Sequence, residues 1–406
     1  MATRHFTRGQ WFALAVAYVF TLTYVISLQS VPPLVHLLRK EIPLDYSQVG
    51  SLMGVFSLPG VLIAIPGGIW ADRHNIRVIG TISLAMVVLG NTTAAFAQNY
   101  WWLIAGRLVT GVGAMMLAIL GPQILTRLFD KGKIGFVMGI FNTAVPVGVL
   151  LSMNTLGLLG ESLGWRNTLF ACNGVAIVAY LLFRPLSSAP QAVEASESPD
   201  AATSPRREIG VGIVLLASIW LLFNAACLSF LTFGMDLIAG IGKGLGASHF
   251  LVSSIMLGAL VLSPLIGYLI DRFNYRYFYI VTAGILMAAS FLLLTRTDAP
   301  APLIVLLSIA VGLVPVSVFT LVLNVVGARH IGLGYGVLNT FLNVGNSLGP
   351  YVTGRTIDAA GFPEAGFYAM ATYSGLMALV VFLMWRKQFK VRVAEPQPRR
   401  ADSLAS

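Results

Sequence analysis

Charge is scarce in this chain. Only 10% of its 406 residues are Asp, Glu, Lys or Arg, while 57% are hydrophobic and the mean hydropathy is +0.81. A soluble globular protein carries about 25% charged residues, so a water-soluble globule is excluded. Cysteine is almost absent. Cys172 and Cys227 stand alone within apolar stretches, which excludes a disulfide framework and a thiolate metal site. The five histidines, His5, His36, His74, His249 and His330, lie outside the long apolar runs or near their ends. They form no H-E-x-x-H spacing, and no paired carboxylates accompany them, so no catalytic constellation is legible and an enzyme is not expected. No metal, cofactor or nucleotide-binding motif is expected either.

What is abundant is apolar sequence. Stretches of about 20 residues can cross a hydrocarbon core as helices. They recur at 11–37, 48–70, 78–97, 101–128, 134–160 and 166–186, and again at 209–241, 247–270, 277–295, 302–327, 331–360 and 364–386. The expectation is an all-α membrane protein of twelve transmembrane helices. The basic amino terminus, with Arg4 and Arg8 ahead of a long apolar run, resembles a secretory signal. That run exceeds the apolar region of such a signal and lacks a small-residue cleavage site, so it reads as a retained first span. Segment 187–208 collects Ser187, Ser188, Pro190, Glu194, Pro199, Asp200 and Pro205 without apolar periodicity, the composition of a flexible linker.

The chain repeats itself. Gly68, Asp72, Arg73, Asn75 and Arg77 recur as Gly267, Asp271, Arg272, Asn274 and Arg276 at an offset of 199, giving G-x-x-x-D-R-x-N-x-R twice. Gly139, Asn142, Thr143 and Gly148 recur as Gly336, Asn339, Thr340 and Gly345 at an offset of 197. Two related six-helix bundles are expected, at 11–186 and 209–386, joined by the 187–208 linker. Residues 1–10 form a short amino-terminal segment and 387–406 a basic tail.

The net charge of +10 could suggest nucleic acid, but its placement argues for topology. Sorted by loop, 19 of the 26 Lys and Arg fall on the side bearing both repeated turns, 6 on the other, and Arg107 lies within a span. By the positive-inside rule both termini and both turns are cytoplasmic, and the basic excess can also contact anionic lipid. Trp101, Trp102 and Trp165 fall near the opposite ends of the spans, where an interfacial belt is expected.

The turn from Gly68 to Arg77 resembles the signature G-x-x-x-D-R-x-G-x-[RK] of the major facilitator superfamily. Arg107, Gly111 and Gly113 match the superfamily's R-x-x-x-G-x-G pattern in the fourth span. The resemblance covers residues 11–386 and implies two pseudo-symmetric six-helix bundles that carry a solute by alternating access. Asn75 and Asn274 stand where the family has glycine; asparagine tolerates left-handed dihedrals, which keeps the turn feasible. The family's antiporter signature is only partial, with Gly139, Pro146 and Gly148 in the fifth span. The eleventh keeps more of that ladder in Gly336, Gly345, Gly349, Pro350 and Gly354. The resemblance also implies gating contacts: Asp72 against the helix beginning near Gly332 and Asp271 against that near Gly135, with Arg73, Arg77, Arg272 and Arg276 adding pairs or binding lipid phosphate.

Candidate substrate or coupling residues follow from polarity inside spans. A buried arginine is expensive unless it faces water or protein. Arg107 is therefore expected to face the central cavity, where it orients an anionic group or takes part in coupling; the other placement is a structural arginine bonded to the carbonyls of a neighbouring helix. Polar stripes occur at Asn224, Thr232 and Asp236 on the seventh span, at Ser317, Thr320 and Asn324 on the tenth, and at Asn339, Asn343, Asn346 and Ser347 on the eleventh. In lipid these side chains need partners and should point inward, toward a cavity or toward neighbouring helices. Asn142, Tyr24, Ser27 and Gln29 are further candidates. Arg355 and Asp358, three apart near the far end of the eleventh span, read as a local pair.

The expected activity is secondary transport of a small organic anion or polar metabolite, because a buried arginine and several asparagines occur without a central carboxylate. Two alternatives stand beside it. One is proton-coupled export of drugs or hydrophobic compounds, with Asp236 as the nearest carboxylate; the other is a non-transporting receptor on the same fold. The expected partners are a small-molecule substrate, the lipid bilayer and a proton or other ion gradient. A monomer in a bacterial inner membrane is expected, with no nucleic acid.

Overall fold

The computed structural model describes residues 7–73, 75–129, 131–188, 210–239, 245–273, 275–325 and 331–394. Among them are fourteen α-helices and no strand. The first half holds α1 (Arg8–Leu28), α2 (Val35–Glu41), α3 (Tyr46–Arg73), α4 (Ile76–Ala95), α5 (Tyr100–Leu128), α6 (Lys131–Asn142) and α7 (Ala144–Ser188). The second holds α8 (Val211–Ala239), α9 (Leu245–Ser253), α10 (Ile255–Phe273), α11 (Arg276–Leu294), α12 (Ala301–Val325), α13 (Ile331–Ala360) and α14 (Ala365–Ala394). The expected linker lies almost wholly outside the described residues; α7 runs two residues into it, and α14 runs eight residues past the expected end of the last span.

Helix starts are set by side chains that take up the free amides of the first turn. Thr7 and Gln10 close a reciprocal capping box on α1, with Gln10 N–H donating to Thr7 Oγ1 at 3.2 Å and Thr7 N–H to Gln10 Oε1 at 3.1 Å. Asn99 Oδ1 accepts from the amides of Trp101 and Trp102 at the start of α5. Asn75 caps α4 with its Oδ1 on Arg77 N–H at 2.9 Å, and its φ is −66°. The expectation of a left-handed asparagine there is therefore corrected: Asn75 serves through its side-chain acceptor, in an extended conformation.

Three expected spans are interrupted, each for a readable reason. A proline lacks an N–H and its ring collides with the carbonyl four residues earlier. Pro32 follows Leu28 by four, and α1 ends at Leu28 before a short 3-10 turn, Pro32–Leu34, leads into α2. Pro146 follows Asn142 by four, and α6 ends at Asn142. The break between α9 and α10 has a different cause. Ser308 of α12 enters the helical ladder, its Oγ donating to Ser254 C=O at 3.0 Å and accepting Gly258 N–H at 2.8 Å.

Nine helical stretches among the described residues are long and apolar enough to cross a membrane, fewer than the twelve expected. One of the nine, Ile134–Pro185, has 52 residues. At 1.5 Å per residue it would far exceed a hydrocarbon core of about 30 Å as a single crossing. It bends at Gly164, where φ is +80° and ψ 159°. That region is open essentially to glycine alone and costs other residues about 1–3 kcal/mol. Gly164→Ala is expected to lower the thermal midpoint of the purified protein accordingly. Gly174→Ala, where an added Cβ meets nothing within 4 Å, is expected to leave it unchanged or slightly raised.

Within the first half, α5 packs on α1, α3 and α4, and α7 on α1 and α4; within the second, α8 packs on α13 and α14, α12 on α10 and α11, and α11 on α14. The halves meet where α3 lies along α13 and where α7 meets α9 and α10. α3 runs toward the repeated turn and α13 away from the matching end, so the pair is antiparallel. We call the side of Arg73 and Arg276 the turn face and the other the far face. Along the far half of the seam the contact is tight. Ser347 Oγ donates to Gly54 C=O at 3.0 Å, Asn154 Nδ2 to Ser253 Oγ at 3.0 Å, and the Tyr46 and Phe233 rings are 6.0 Å apart. Nearer the turn face, a Cβ at Gly336 of α13, or at Gly135 or Gly139 of α6, would meet nothing among the described residues within 4 Å.

Candidate functional site

The break after α1 creates a polar buried point in the first half. In a continuous helix Leu28 C=O would accept from residue 32, but Pro32 has no N–H to give. Arg107, projecting from α5 and 3% exposed, supplies the donor: its Nη2 reaches Leu28 C=O at 3.1 Å. Its Nη1 donates to Ser27 C=O at 2.6 Å and Ser30 Oγ at 3.2 Å, and its Nε to Leu52 C=O of α3 at 3.1 Å. The guanidinium also sits 4.4 Å from the Phe56 ring centre, and Phe56 neighbours Tyr24 at 6.2 Å. A cation at the carbonyl end of a helix is favoured by the helix dipole as well as by these bonds. Of the two placements expected for Arg107, this is the one among carbonyls of neighbouring helices. Its acceptors are neutral oxygens and, at 3.8 Å, the Met53 thioether sulfur, so the positive charge itself is not cancelled by a carboxylate among the described contacts. Phe56 and Ser30, which complete this arrangement, carry no sequence pattern of their own.

The polar stripes mostly bond to their own helices. Asn224 Nδ2 donates to Trp220 C=O at 2.7 Å, Thr232 Oγ1 to Leu228 C=O at 2.6 Å, Ser317 Oγ to Leu313 C=O at 2.8 Å, Thr320 Oγ1 to Val316 C=O at 2.9 Å, and Asn343 Nδ2 to Asn339 C=O at 2.9 Å. Bonding back by one turn uses one N–H of each asparagine and directs it away from any neighbouring helix. Two amide oxygens, Gln29 Oε1 at the α1 break and Asn343 Oδ1 on α13, are buried without a hydrogen-bond partner among the described residues. Asn343 is wedged against Gly60 of α3, where an added Cβ would lie 2.5 Å from its amide. Asn346 is buried on the same helix, Tyr24 and Asn224 are half-buried, and Asn142 and Asn339 are exposed. Asp236 is half-buried on α8, within electrostatic reach of Arg39 from the first half.

Other expected residues lie apart from this point. Arg355 is exposed on the outside of α13 beside Tyr351, Val352 and Thr356. The expected Arg355–Asp358 pair is corrected: the Asp358 carboxylate instead accepts the backbone amides of Tyr46 and Ser47. These amides open α3 and have no partner within it, which makes them the stronger attraction. On the turn face, Arg276 Nη1 donates to Thr320 C=O at 3.3 Å and Arg272 Nη1 to Tyr268 Oη at 3.2 Å, while Arg77 lies in the first turn of α4. Gly68, Asp72, Arg73, Gly267, Asp271, Asn274 and Asn324 lie outside the residues whose side-chain surroundings are described, so the expected contacts of Asp72 and Asp271 do too.

The arrangement has relatives. Residues 14–256 and 237–406 match the family model described as Major Facilitator Superfamily. A hexuronate transporter of Bacillus subtilis (strain 168) is 24% identical over 359 residues, covering 81% of this chain and 84% of that protein. A lysosomal dipeptide transporter of Homo sapiens is 22% identical over 377 residues, covering 86% and 81%. Among solved structures, a bacterial homologue of the human lysosomal transporter Spinster, in an inward-facing and unoccupied conformation, superposes with a TM-score of 0.78 at 16% identity, over 95% of this chain and 99% of that one. With the internal repeat, the helical architecture and the family match covering the chain, this multi-pass membrane protein belongs to the major facilitator superfamily.

Proposed function

We propose that the protein is a secondary transporter of a small hydroxylated organic anion, working by rocker-switch alternating access. The observation that carries the substrate class is Arg107, a buried cation whose bonds go to neutral oxygens, together with unpartnered amide oxygens at Gln29 and Asn343. An uncompensated positive charge favours an anion nearby, and spare acceptors favour a ligand rich in hydroxyl donors. The similarity to a hexuronate transporter points the same way, since a hexuronate combines a carboxylate with several hydroxyls. The tight far half of the seam, and the open surroundings of Gly139 and Gly336, fit a state closed toward the far face.

In this reading twelve crossings form two six-helix bundles around a site near the bilayer midplane. Both termini and the repeated turns are cytoplasmic, the far face is the outer one, the membrane is a bacterial inner membrane, and an ion gradient drives a monomer. Asp72, Asp271 and their arginines act as inner gates, while Tyr24, Asn142, Asn224, Asn324, Asn339, Asn343 and Asn346 line or flank the path. Asp236, facing Arg39, supports the second reading of proton-coupled export of hydrophobic compounds, where a half-buried carboxylate would carry the proton.

The test is counterflow in proteoliposomes preloaded with unlabelled hexuronate or aldonate. Accumulation of the labelled acid is expected without an imposed gradient. A thermal-shift panel runs beside it, because bound ligand raises apparent stability by about 2.7 kcal/mol at a hundred times Kd. Stabilisation by lipophilic cations and not by hydroxy acids would reverse the ranking of the two readings.

A further inference from the structure

On the far face one contact ties the halves together end to end. Asp358, in the last turn of α13, accepts Tyr46 N–H at 3.0 Å and Ser47 N–H at 2.7 Å, the first two amides of α3. These amides lack intrahelical partners and carry the positive end of the helix dipole, so a carboxylate both satisfies and attracts them. Gly354, one turn earlier, allows the approach: a Cβ there would lie 2.2 Å from Tyr46 C=O.

The internal repeat extends this pattern. The 197-residue offset that relates Gly139 to Gly336 takes Asp358 back to Glu161 and Gly354 back to Gly157. The 199-residue offset of the repeated turn takes Tyr46 and Ser47 forward to Leu245 and Gly246, the first residues of α9, and Gly50 forward to His249. The structure brings two of these positions, Gly157 and His249, together at the second seam, where α7 packs on α9. A Cβ at Gly157 would lie 2.2 Å from Cε1 of His249, whose side chain is buried with an unpartnered Nε2. Glu161 lies within electrostatic reach of that imidazole.

We infer that the outer gate is a duplicated carboxylate latch, Asp358 closing on the first turn of α3 and Glu161 on the first turn of α9. Both are positioning residues: each holds one half against the other while the outer face is shut, and neither touches the solute. The second latch differs in carrying an imidazole, His249, where the first has Gly50. The inference rests on the alternating-access reading.

Double electron–electron resonance between spin labels at Lys40→Cys and Glu364→Cys, on the outer ends of the two halves, tests it in nanodiscs without any substrate. The background carries Cys172→Ala and Cys227→Ala. Asp358→Ala and Glu161→Gln are each expected to raise the ratio of long to short distances by roughly twofold to thirtyfold, the span for a carboxylate at a helix start. The double variant is expected to multiply the two effects. Asp358→Glu should restore most of the short population, and Thr356→Val should leave it unchanged. Where Asp358→Ala does not yield monodisperse protein, Asp358→Asn, which keeps the volume and loses the charge, takes its place. Wild-type distances in both single variants would overturn the latch. A shift with Asp358 alone would overturn its duplication. A wild-type protein that shows a single distance with and without transported acid would overturn alternating access itself, and the latch with it.

Discussion

Arg107→Ala is expected to cut uptake by at least about a hundredfold and to lower stability by about 3 kcal/mol or more. Hydrogen bonds to a charged group contribute roughly 1.5–3 kcal/mol each, and acceptors left buried without a donor cost more than the bond was worth. Here the acceptors are Ser27 and Leu28 C=O at the end of α1 and Leu52 C=O on α3, and removal leaves Leu28 C=O, which Pro32 already deprives of its helical donor, without the guanidinium bond. A shift of the α1 break then misplaces Tyr24 and Gln29, and each loss of about 1.36 kcal/mol at the rate-limiting step is tenfold in rate. Two further variants separate geometry from charge. Arg107→Lys keeps the cation but loses the planar fork, so it should impair uptake while preserving selectivity for the acid over its uncharged analogue. Arg107→Gln should lose that selectivity as well. Initial rates in proteoliposomes and the thermal midpoint check both, and unimpaired uptake by Arg107→Ala would remove the residue from the mechanism.

The amino-acid sequence announces the repeated turns plainly, because charged and small residues at matched spacing stand out in a chain so poor in charge. Two of the three helix breaks have a local mark, since Pro32 and Pro146 each forbid the bond to the residue four earlier, but Pro122, Pro315 and Pro350 sit inside continuous helices, so a proline alone does not locate a break. Hydropathy alone reads through both breaks as unbroken spans because it is blind to backbone donors. The third break is not legible. Ser308 enters the α9–α10 ladder from a position 54 residues beyond Ser254, and nothing local marks Ser254 as a break. The same limit applies to Asp358. Its nearest charged neighbour in sequence is Arg355, which suggests a pair, whereas its actual partners are amides 311 and 312 residues distant. The asparagine stripes are legible as polar faces, but not that Asn224 and Asn343 each turn an N–H back on their own helix while the Asn343 oxygen is left without a partner among the described residues.

Gly54→Leu is expected to abolish uptake while leaving a folded, membrane-inserted protein. At Gly54 an added Cβ would sit 2.4 Å from Ser347 C=O, and at Gly50 one would sit 2.2 Å from Pro350 C=O. Both obstacles are backbone in the opposite half, so no rotamer change relieves them, and a leucine cannot coexist with the closed far half of the seam. The collision vanishes if α3 and α13 part, because each glycine lies on the surface of its own helix. The energy cost therefore falls on one conformation rather than on folding, and the variant should accumulate in a state open toward the far face. Ser347→Cys reports this directly. The Ser347 Oγ bonds Gly54 C=O across the seam, so a thiol in its place should react slowly with a membrane-impermeant maleimide in the otherwise native protein and many times faster when combined with Gly54→Leu. Gly336→Leu on α13 is the contrast, since an added Cβ there meets nothing among the described residues within 4 Å and the far half of the seam should close as before. Normal uptake by Gly54→Leu would mean that α3 and α13 need not touch at any stage of transport, which two rigid halves alternating about a shared site do not allow.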